Sequence, residues 1–171
     1  MGKIRLTTTQ NIVKNTPMGG NVDVSKYIFL IDLVQKSDLE PVLGTKLYNK
    51  IKTDYNANAL TGLYLKMHTD YIEDFLNYEV YATYVNSGGE RIVNNGNIKH
   101  NPDNSQVLTN AENVSSASKY FNTAGSYLSD LEKFLRVEGV NIPEYNSQDN
   151  EYDDEAKDSD SVGSVTWYFG K

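Results

Sequence analysis

Apolar residues recur every three or four positions along four stretches of this chain, and this spacing predicts helices. The helices are expected over about 25–37, over a shorter stretch after Gly44, over about 60–86 and over about 111–138. Polar, turn-prone residues separate them. The pattern therefore predicts a mainly α protein, a compact bundle of about four helices with extended arms at both ends.

Residues 39–48 form the junction between the first two predicted helices. Pro41 can occupy a first helical turn, where its missing N–H needs no partner. Gly44 supplies a backbone position without a Cβ, at which one short helix can end and the next begin. Leu39, Leu43 and Leu47 keep helical spacing across the junction. We expect an elbow in which two helices leave at an angle and share one core.

The third predicted helix has an unusually broad apolar face, and the fourth has a narrow, regular one. A broad face indicates a helix that is covered on two sides, either at the centre of its own bundle or shared with a neighbouring subunit. In the fourth helix, the small residues Ala117, Ala124 and Gly125 would allow close approach of another helix. The apolar face of the third helix consists of Leu63, Met67, Tyr71, Phe75, Tyr78, Ala82 and Val85, widened by Leu60, Tyr64, Ile72, Leu76 and Val80. Its expected polar side consists of Lys66, Asp70, Glu73 and Asn77. The apolar face of the fourth helix consists of Val114, Ala117, Phe121, Ala124, Leu128, Leu131 and Leu135.

A change of character between residues 90 and 110 separates the last two helices. Asn95-Gly96 lies between short β-prone runs, which is the strongest local signal for a hairpin. We expect a protruding hairpin or loop here, with Ile92, Val93 and Ile98 making contacts to partner proteins.

The two ends of the chain are expected to be arms around a helical domain at 23–138. In the N-terminal arm, 1–22, Ile4 and Leu6 alternate with charged residues, so a short strand against another chain is expected. The C-terminal arm, 139–171, ends in Val165, Trp167 and Phe169, which alternate as in a strand with one buried face. Such a strand can anchor a neighbouring chain by edge addition, or it can fold back on its own body.

Charge is concentrated near the C-terminus. Residues 144–160 contain eight acids and one base, which accounts for the whole net charge of −7. An acidic segment repels phosphate, so tight binding to nucleic acid is not expected. The chain has no cysteine, no apolar run long enough to cross a membrane and no signal-peptide core at its start. A protein of the cell interior without a membrane partner is expected.

No constellation for catalysis, metal binding or cofactor binding is present in the sequence. His68 and His100 are the only histidines, and a structural role is expected for His68 within its helix. Nucleotide-binding and nucleophile motifs are missing. We expect a non-enzymatic protein with no catalytic residue, no metal and no cofactor.

The chain resembles the head–tail connector proteins of tailed bacteriophages (adaptor or head-completion proteins), especially the ring proteins of crAss-like phages. The residues that carry the resemblance lie within 23–138; they are the run Tyr27-Ile28-Phe29-Leu30-Ile31-Asp32, the elbow 39–48, the long helix, the hairpin and the run 127–135 in the last helix.

The resemblance implies a structural subunit of a ring, commonly of twelve copies, that stacks below the portal, lines the genome-passage channel and joins capsid to tail. Its implied partners are further copies of itself, the portal, the next ring or tail protein, and double-stranded DNA that passes through the lumen without sequence-specific binding. It also implies location in the virion after assembly in the host cytoplasm. The competing interpretation is a monomeric helical adaptor or regulatory protein whose acidic tail engages a basic partner.

Overall fold

A computed structural model describes residues 3–87, 91–93, 96–98 and 110–146 of the 171-residue chain. The described protein is mainly helical. Its elements are α1 (Thr9–Asn15), α2 (Ile28–Val34), α3 (Glu40–Leu43), α4 (Thr45–Asn56), α5 (Gly62–Met67), α6 (Glu73–Asn86), β1 (Arg91–Val93), β2 (Gly96–Ile98), α7 (Asn110–Glu138) and α8 (Pro143–Asn146). Single 3-10 turns occupy Val24–Lys26 and Gly139–Asn141.

The predicted elbow is confirmed at Gly44. Helix α3 ends at Leu43 and α4 begins at Thr45, while Gly44 between them has φ 74° and ψ 153°. This backbone conformation is essentially restricted to glycine. Leu39, Leu43 and Leu47 are all fully buried, so the two helices share one core as expected.

Two π-helical turns interrupt the helices that pack around this core. Gln35–Leu39 joins α2 to α3, and His68–Ile72 joins α5 to α6. The first of these turns lies just before Pro41, where the helix returns from i−5 to i−4 hydrogen bonding. Because proline has no N–H, it can occupy this change of register without losing a hydrogen bond.

The segment 62–86, made of α5, the second π turn and α6, is hereafter the long helix. Its face with Tyr78 and Tyr81 packs on α7, where the rings of Tyr78 and Tyr127 stack 5.9 Å apart. Another face, with Asn77 and Tyr84, packs on the N-terminal segment and α2. The broad apolar face is therefore covered on two sides by the same chain, as in a central helix of a bundle.

Helix α7 follows the predicted stripe over most of its length. Ala117, Ala124, Leu131 and Leu135 are buried. Val114 is different, because 52% of its surface is exposed. At Gly125, a Cβ would have no neighbouring atom within 4 Å, so the expected close approach of a helix at this residue does not occur within the described chain.

The segment 1–22, predicted to be an N-terminal arm, packs against the body over its described residues. Residues 9–15 form α1, and Leu6, Ile12 and Met18 are buried in the main core. The burial of this segment was not predicted because its large buried apolar residues, Leu6, Ile12 and Met18, are six positions apart. Its remaining hold on the body comes from hydrogen bonds of the main chain and of polar side chains.

The C-terminal arm was expected to begin at residue 139, but residues 139–146 belong to the body. Ile142 is fully buried, and the Tyr64 hydroxyl donates a 2.5 Å hydrogen bond to Glu144 at the start of α8. Burial, with Glu144 as acceptor, raises the pKa of Tyr64 to about 12. The rest of the predicted arm lies outside the described residues.

The strands β1 and β2 pair antiparallel, with Arg91 opposite Ile98 and Val93 opposite Gly96. Residues 94 and 95 between them are outside the described part of the chain. The protruding position expected for this hairpin stays a prediction.

Candidate functional site

The two π turns bring two buried polar side chains, Gln35 and His68, to the main chain of the same residue, Leu6. The Gln35 side-chain oxygen accepts the Leu6 N–H, and His68 Nε2 lies 2.7 Å from the Leu6 carbonyl oxygen. Gln35 also donates through Nε2 to the Ile4 carbonyl at 3.2 Å. Both side chains are at most 5% exposed. The predicted structural role of His68 is thus confirmed, because its ring fixes the main chain of the segment.

Asn77 corrects the expected polar side of the long helix. It is completely buried, and its Oδ1 accepts a 2.7 Å hydrogen bond from the Thr7 hydroxyl, while its Nδ2 has no partner. Glu73, one turn earlier, accepts a hydrogen bond from Asn11 in α1. At Glu73 and Asn77 this side of the long helix therefore holds the N-terminal segment, whereas Lys66 and Asp70 are exposed as expected.

An open groove of about 460 Å³ lies between the N-terminal segment, α2 and α4. Both carboxylates in its lining are paired: Arg5 binds Asp32 through two hydrogen bonds of 2.8 and 3.0 Å, and Lys36 lies 2.6 Å from Glu40. Neither carboxylate is arranged as a general acid or base opposite a second one. The groove is lined by Lys3, Ile4, Asp32, Gln35, Lys36, Glu40, Thr45, Tyr48, Asn49 and Lys52.

Glu79 on α6 is the carboxylate with the largest upward pKa shift among the described residues. Burial, with a further contribution from nearby Asp38, raises its pKa from the ordinary value of 4.5 to about 7. The folded protein therefore holds this proton between pH 4.5 and about 7, whereas the unfolded chain releases it. The resulting contribution to stability is complete below pH 4.5 and is lost as the pH rises through about 7.

The variant Glu79→Gln should remove this pH dependence, because glutamine resembles the protonated acid. We expect its melting temperature to exceed that of the wild type at pH 8 and to match it at pH 4.5. Thermal melts across this range measure the effect. Asp38→Asn removes only the neighbouring charge and should give a smaller change in the same direction. If Glu79→Gln showed the wild-type pH profile, Glu79 would not be the group that titrates.

Two groups of apolar side chains are exposed at different places on the described surface. Phe29 and Leu33 on α2 are 55% and 52% exposed, and we call them the α2 patch. Val137 and Val140, at the end of α7, are 70% and 74% exposed, and we call them the α7-end patch. Phe29 and Leu33 lie four residues apart and therefore on the same side of α2. Val140 follows Val137 by three residues and lies in the 3-10 turn Gly139–Asn141, directly after α7.

The sequence analysis did not identify either patch. On α2, the core-facing residues Leu30, Ile31 and Val34 are buried, and Ile28 packs partly buried against the core. Phe29 and Leu33 lie four residues apart on the opposite side, between Lys26 and Lys36. This second apolar pair was the feature of the sequence that indicates the α2 patch, because a surface helix with a single apolar face would not contain it.

The residues predicted to contact partners are not the residues of the α2 patch or the α7-end patch. Leu6 is fully buried in its own core, and its predicted contact with a partner stays a prediction. Ile4 is half-buried at the edge of the groove. For Ile92, Val93 and Ile98 only the strand pairing is described. The proposed anchor residues Val165, Trp167 and Phe169, and His100, lie outside the described residues.

Across the described residues, no group of three or more His, Cys, Asp or Glu side chains could hold a metal ion. The helices of the same described part contain none that is both long and apolar enough to cross a membrane.

The profile of DUF6712, a family of unknown function, matches residues 39–155, which is more than half of the chain and begins at the elbow. No curated protein and no solved structure matches the chain.

Proposed function

The chain belongs to the DUF6712 family, and we propose that it is a structural subunit of a bacteriophage head–tail connector ring. In this proposal, about twelve copies form a ring that stacks below the portal, lines the genome-passage channel and joins the capsid to the tail. The next ring or tail protein binds the other side of the ring. The protein has no catalytic role, and it resides in the virion after assembly in the host cytoplasm.

The observation that carries the proposal is the presence of two separate exposed apolar patches on a body that has a complete core. A ring subunit needs two different surfaces, because each copy contacts one neighbour on either side. The α2 patch and the α7-end patch supply two such surfaces on the described body.

The hairpin and the C-terminal segment would add contacts within the ring and along the channel. Val165, Trp167 and Phe169 are the proposed anchoring strand on a neighbouring copy, and Ile92, Val93 and Ile98 are proposed contacts of the hairpin. A tethered anchor raises the effective concentration of the contact that it makes. The acidic residues of 144–160 suit a channel that lets DNA pass without holding its phosphates.

One observation favours the second candidate, a monomeric adaptor whose acidic tail binds a basic partner. The long helix is covered by α2, α7 and the N-terminal segment of its own chain, so the core needs no second subunit. In this alternative, the two patches would be used by unrelated partners.

Electron microscopy of the purified full-length protein, alone and with the portal protein of the same phage genome, distinguishes the two candidates. The connector proposal predicts closed rings of a single diameter, either free or stacked on the portal. Because some subunits assemble only on the portal, the mixture with portal is the decisive sample. Particles that remain single copies in both samples, and bind a basic protein instead, would support the adaptor and exclude the connector.

A further inference from the structure

We infer that the groove between the N-terminal segment, α2 and α4 is the docking site for residues 147–160 of the same chain, hereafter the acidic segment. This segment contains seven acids and one base, and it lies outside the described residues. The inference goes beyond the proposed function and does not depend on it, because docking within one chain is equally compatible with a ring subunit and with an adaptor.

The first argument is the charge of the groove. Arg5 forms two hydrogen bonds with Asp32, so the ammonium group of Lys3, 3.4 Å from the same carboxylate, is a second cation on one anion. Lys52 lies 4.7 Å from the centroid of the Tyr48 ring and forms no ion pair with a described residue. The remaining lysine and glutamate of the lining pair with each other. The groove therefore carries two positive charges that its own carboxylates do not balance.

The second argument is an unused hydrogen-bond donor in the lining. Gln35 donates through Nε2 to the Tyr48 hydroxyl oxygen at 3.4 Å, and the Gln35 side-chain oxygen accepts from the Leu6 N–H. Among the described residues, nothing accepts the proton of the Tyr48 hydroxyl. A hydroxyl group can donate as well as accept. A ligand with carboxylate oxygens would therefore satisfy this hydroxyl and the neighbouring Lys52 together.

The third argument is the place at which the described chain ends. Helix α8 ends at Asn146 and packs on α4, the helix that contributes Tyr48 and Lys52 to the groove. On that side of α4, Glu144 lies close enough to Lys50 for their charges to interact. Lys50 and Lys52 are two residues apart, so they lie on roughly opposite sides of the helix. The acidic segment is therefore joined to the body beside α4, with the groove on the other side of this helix.

The acidic segment is long enough to cross α4. An α-helix with its side chains is about 10–12 Å across. The nine residues from Asn146 to Glu155 span up to about 30 Å when extended, which exceeds the path around half of such a helix. Asn49 and Thr53, on the intervening side of α4, are exposed. The segment can therefore place its acids against the groove lysines.

The tether is the reason why this chain's own segment, and not a separate acidic peptide, is the proposed occupant. Exposed ion pairs are individually weak, and salt screens them. A short tether presents the segment to the groove at an effective concentration in the millimolar range, at which weak contacts suffice for docking.

A second surface with basic residues lies close to the start of the segment but has no excess of positive charge. At the end of α7, Lys133 pairs with Asp130, and Arg136 is accompanied by Glu132 and Glu138. Three acids thus stand beside two bases. The groove is therefore the better site for a segment of carboxylates.

Carbodiimide cross-linking of the full-length protein tests the inference, because this reagent joins a carboxylate directly to an amine that touches it. We expect mass spectrometry to find the acidic segment joined to Lys3 and Lys52 about tenfold more often than to Lys66 and Lys133, since docking concentrates the carboxylates at the groove. Equal yields at the four lysines would indicate a segment that samples the surface freely, and they would overturn the inference.

The variant Lys52→Gln, with Lys66→Gln as its matched control, shows whether the groove holds the segment. Lys66 also lies over an aromatic ring, 5.7 Å from the centroid of Phe134. Lys52→Gln should lower the yield of cross-links to Lys3 by about two- to fivefold, the effect of losing one exposed ion pair, and Lys66→Gln should leave it unchanged. Equal effects of the two variants would contradict docking in the groove.

Salt gives a test that needs no variant. Raising the ionic strength from about 0.1 to 1 M shortens the screening length from about 10 to 3 Å, so the preference for the groove lysines should fall. A preference that did not change with salt would contradict docking by charge.

Mixing protein of natural isotopic composition with protein labelled with heavy nitrogen distinguishes docking within one chain from docking on a neighbouring copy. We expect cross-linked peptides of a single isotope. Pairs of mixed isotope would show that another copy fills the groove, which would overturn the inference and leave the proposed ring intact. Single-isotope cross-links in a protein that forms no ring, even with the portal protein, would keep the inference and remove the proposed function.

Discussion

Replacing Gly44 by alanine is expected to lower the free energy of unfolding by about 1–3 kcal/mol, because a residue with a Cβ is strained in this backbone conformation. Gly44 has φ 74° and ψ 153° between α3 and α4. Its amide closes α3 on the Glu40 carbonyl at 2.9 Å, and its carbonyl accepts the first hydrogen bond of α4 from Tyr48 at 3.0 Å. The conformation is thus fixed from both sides, so the elbow cannot relax without breaking one of the two helices.

Urea denaturation at a low protein concentration measures this loss. The matched control is Gly125→Ala in α7, where a Cβ meets no atom within 4 Å and the backbone is helical. That change should raise the unfolding free energy by about 0.5–1 kcal/mol, since alanine is the better helix former. Equal effects of the two substitutions would mean that the elbow does not depend on the backbone of Gly44.

Replacing Leu6 by alanine is expected to cost about 2–4 kcal/mol, the range for removing a fully buried leucine side chain. For a domain of this size, the loss corresponds to a fall in melting temperature of roughly 4–16 °C. The reason is that Leu6 is completely buried in the main core, and its main-chain N–H and carbonyl are held by Gln35 and His68. A free arm would show no such dependence on a single side chain.

The control for Leu6 is Ile4→Ala, two residues earlier in the same segment. Ile4 is half-buried at the edge of the groove, so its truncation should cost less than about 1 kcal/mol. If Leu6→Ala and Ile4→Ala were equally mild, the N-terminal segment would not belong to the core in solution.

Local patterns were sufficient to predict the elbow and the long helices. Residue spacing and glycine positions, which depend only on near neighbours in the sequence, predict the elbow at Gly44, the helical segment 60–86 and the end of α7 at Glu138. The π turns shift the helical register by one residue, but they leave the predicted helices continuous.

The N-terminal segment could not be predicted in this way because its hold on the body is tertiary. The main chain of Leu6 forms hydrogen bonds with Gln35, which lies 29 residues away in the sequence, and with His68, which lies 62 residues away. Asn77 was assigned to solvent for the same reason, since only its pairing with Thr7, 70 residues earlier, explains its burial. A polar residue at a buried position is not visible in a hydrophobic pattern.

The broad apolar face of the long helix could be covered either by its own chain or by a neighbouring subunit, and only the packing of the chain distinguishes these two possibilities. It is filled from within, by Tyr127 and Tyr120 of α7 on one side and by Tyr27 on another. The self-association that we propose must therefore use surfaces other than this face, and Phe29 with Leu33 and Val137 with Val140 are exposed apolar pairs on the described residues.

The mass of the wild-type protein across a range of concentrations at native salt, alone and with the portal protein, tests the central claim most directly. The proposed closed ring predicts that the mass grows in whole subunits of 19.2 kDa, passes beyond the pair and ends at one closed size. An assembly that stops at the pair at every concentration would contradict the account, because a single patch that binds its own equivalent gives that result.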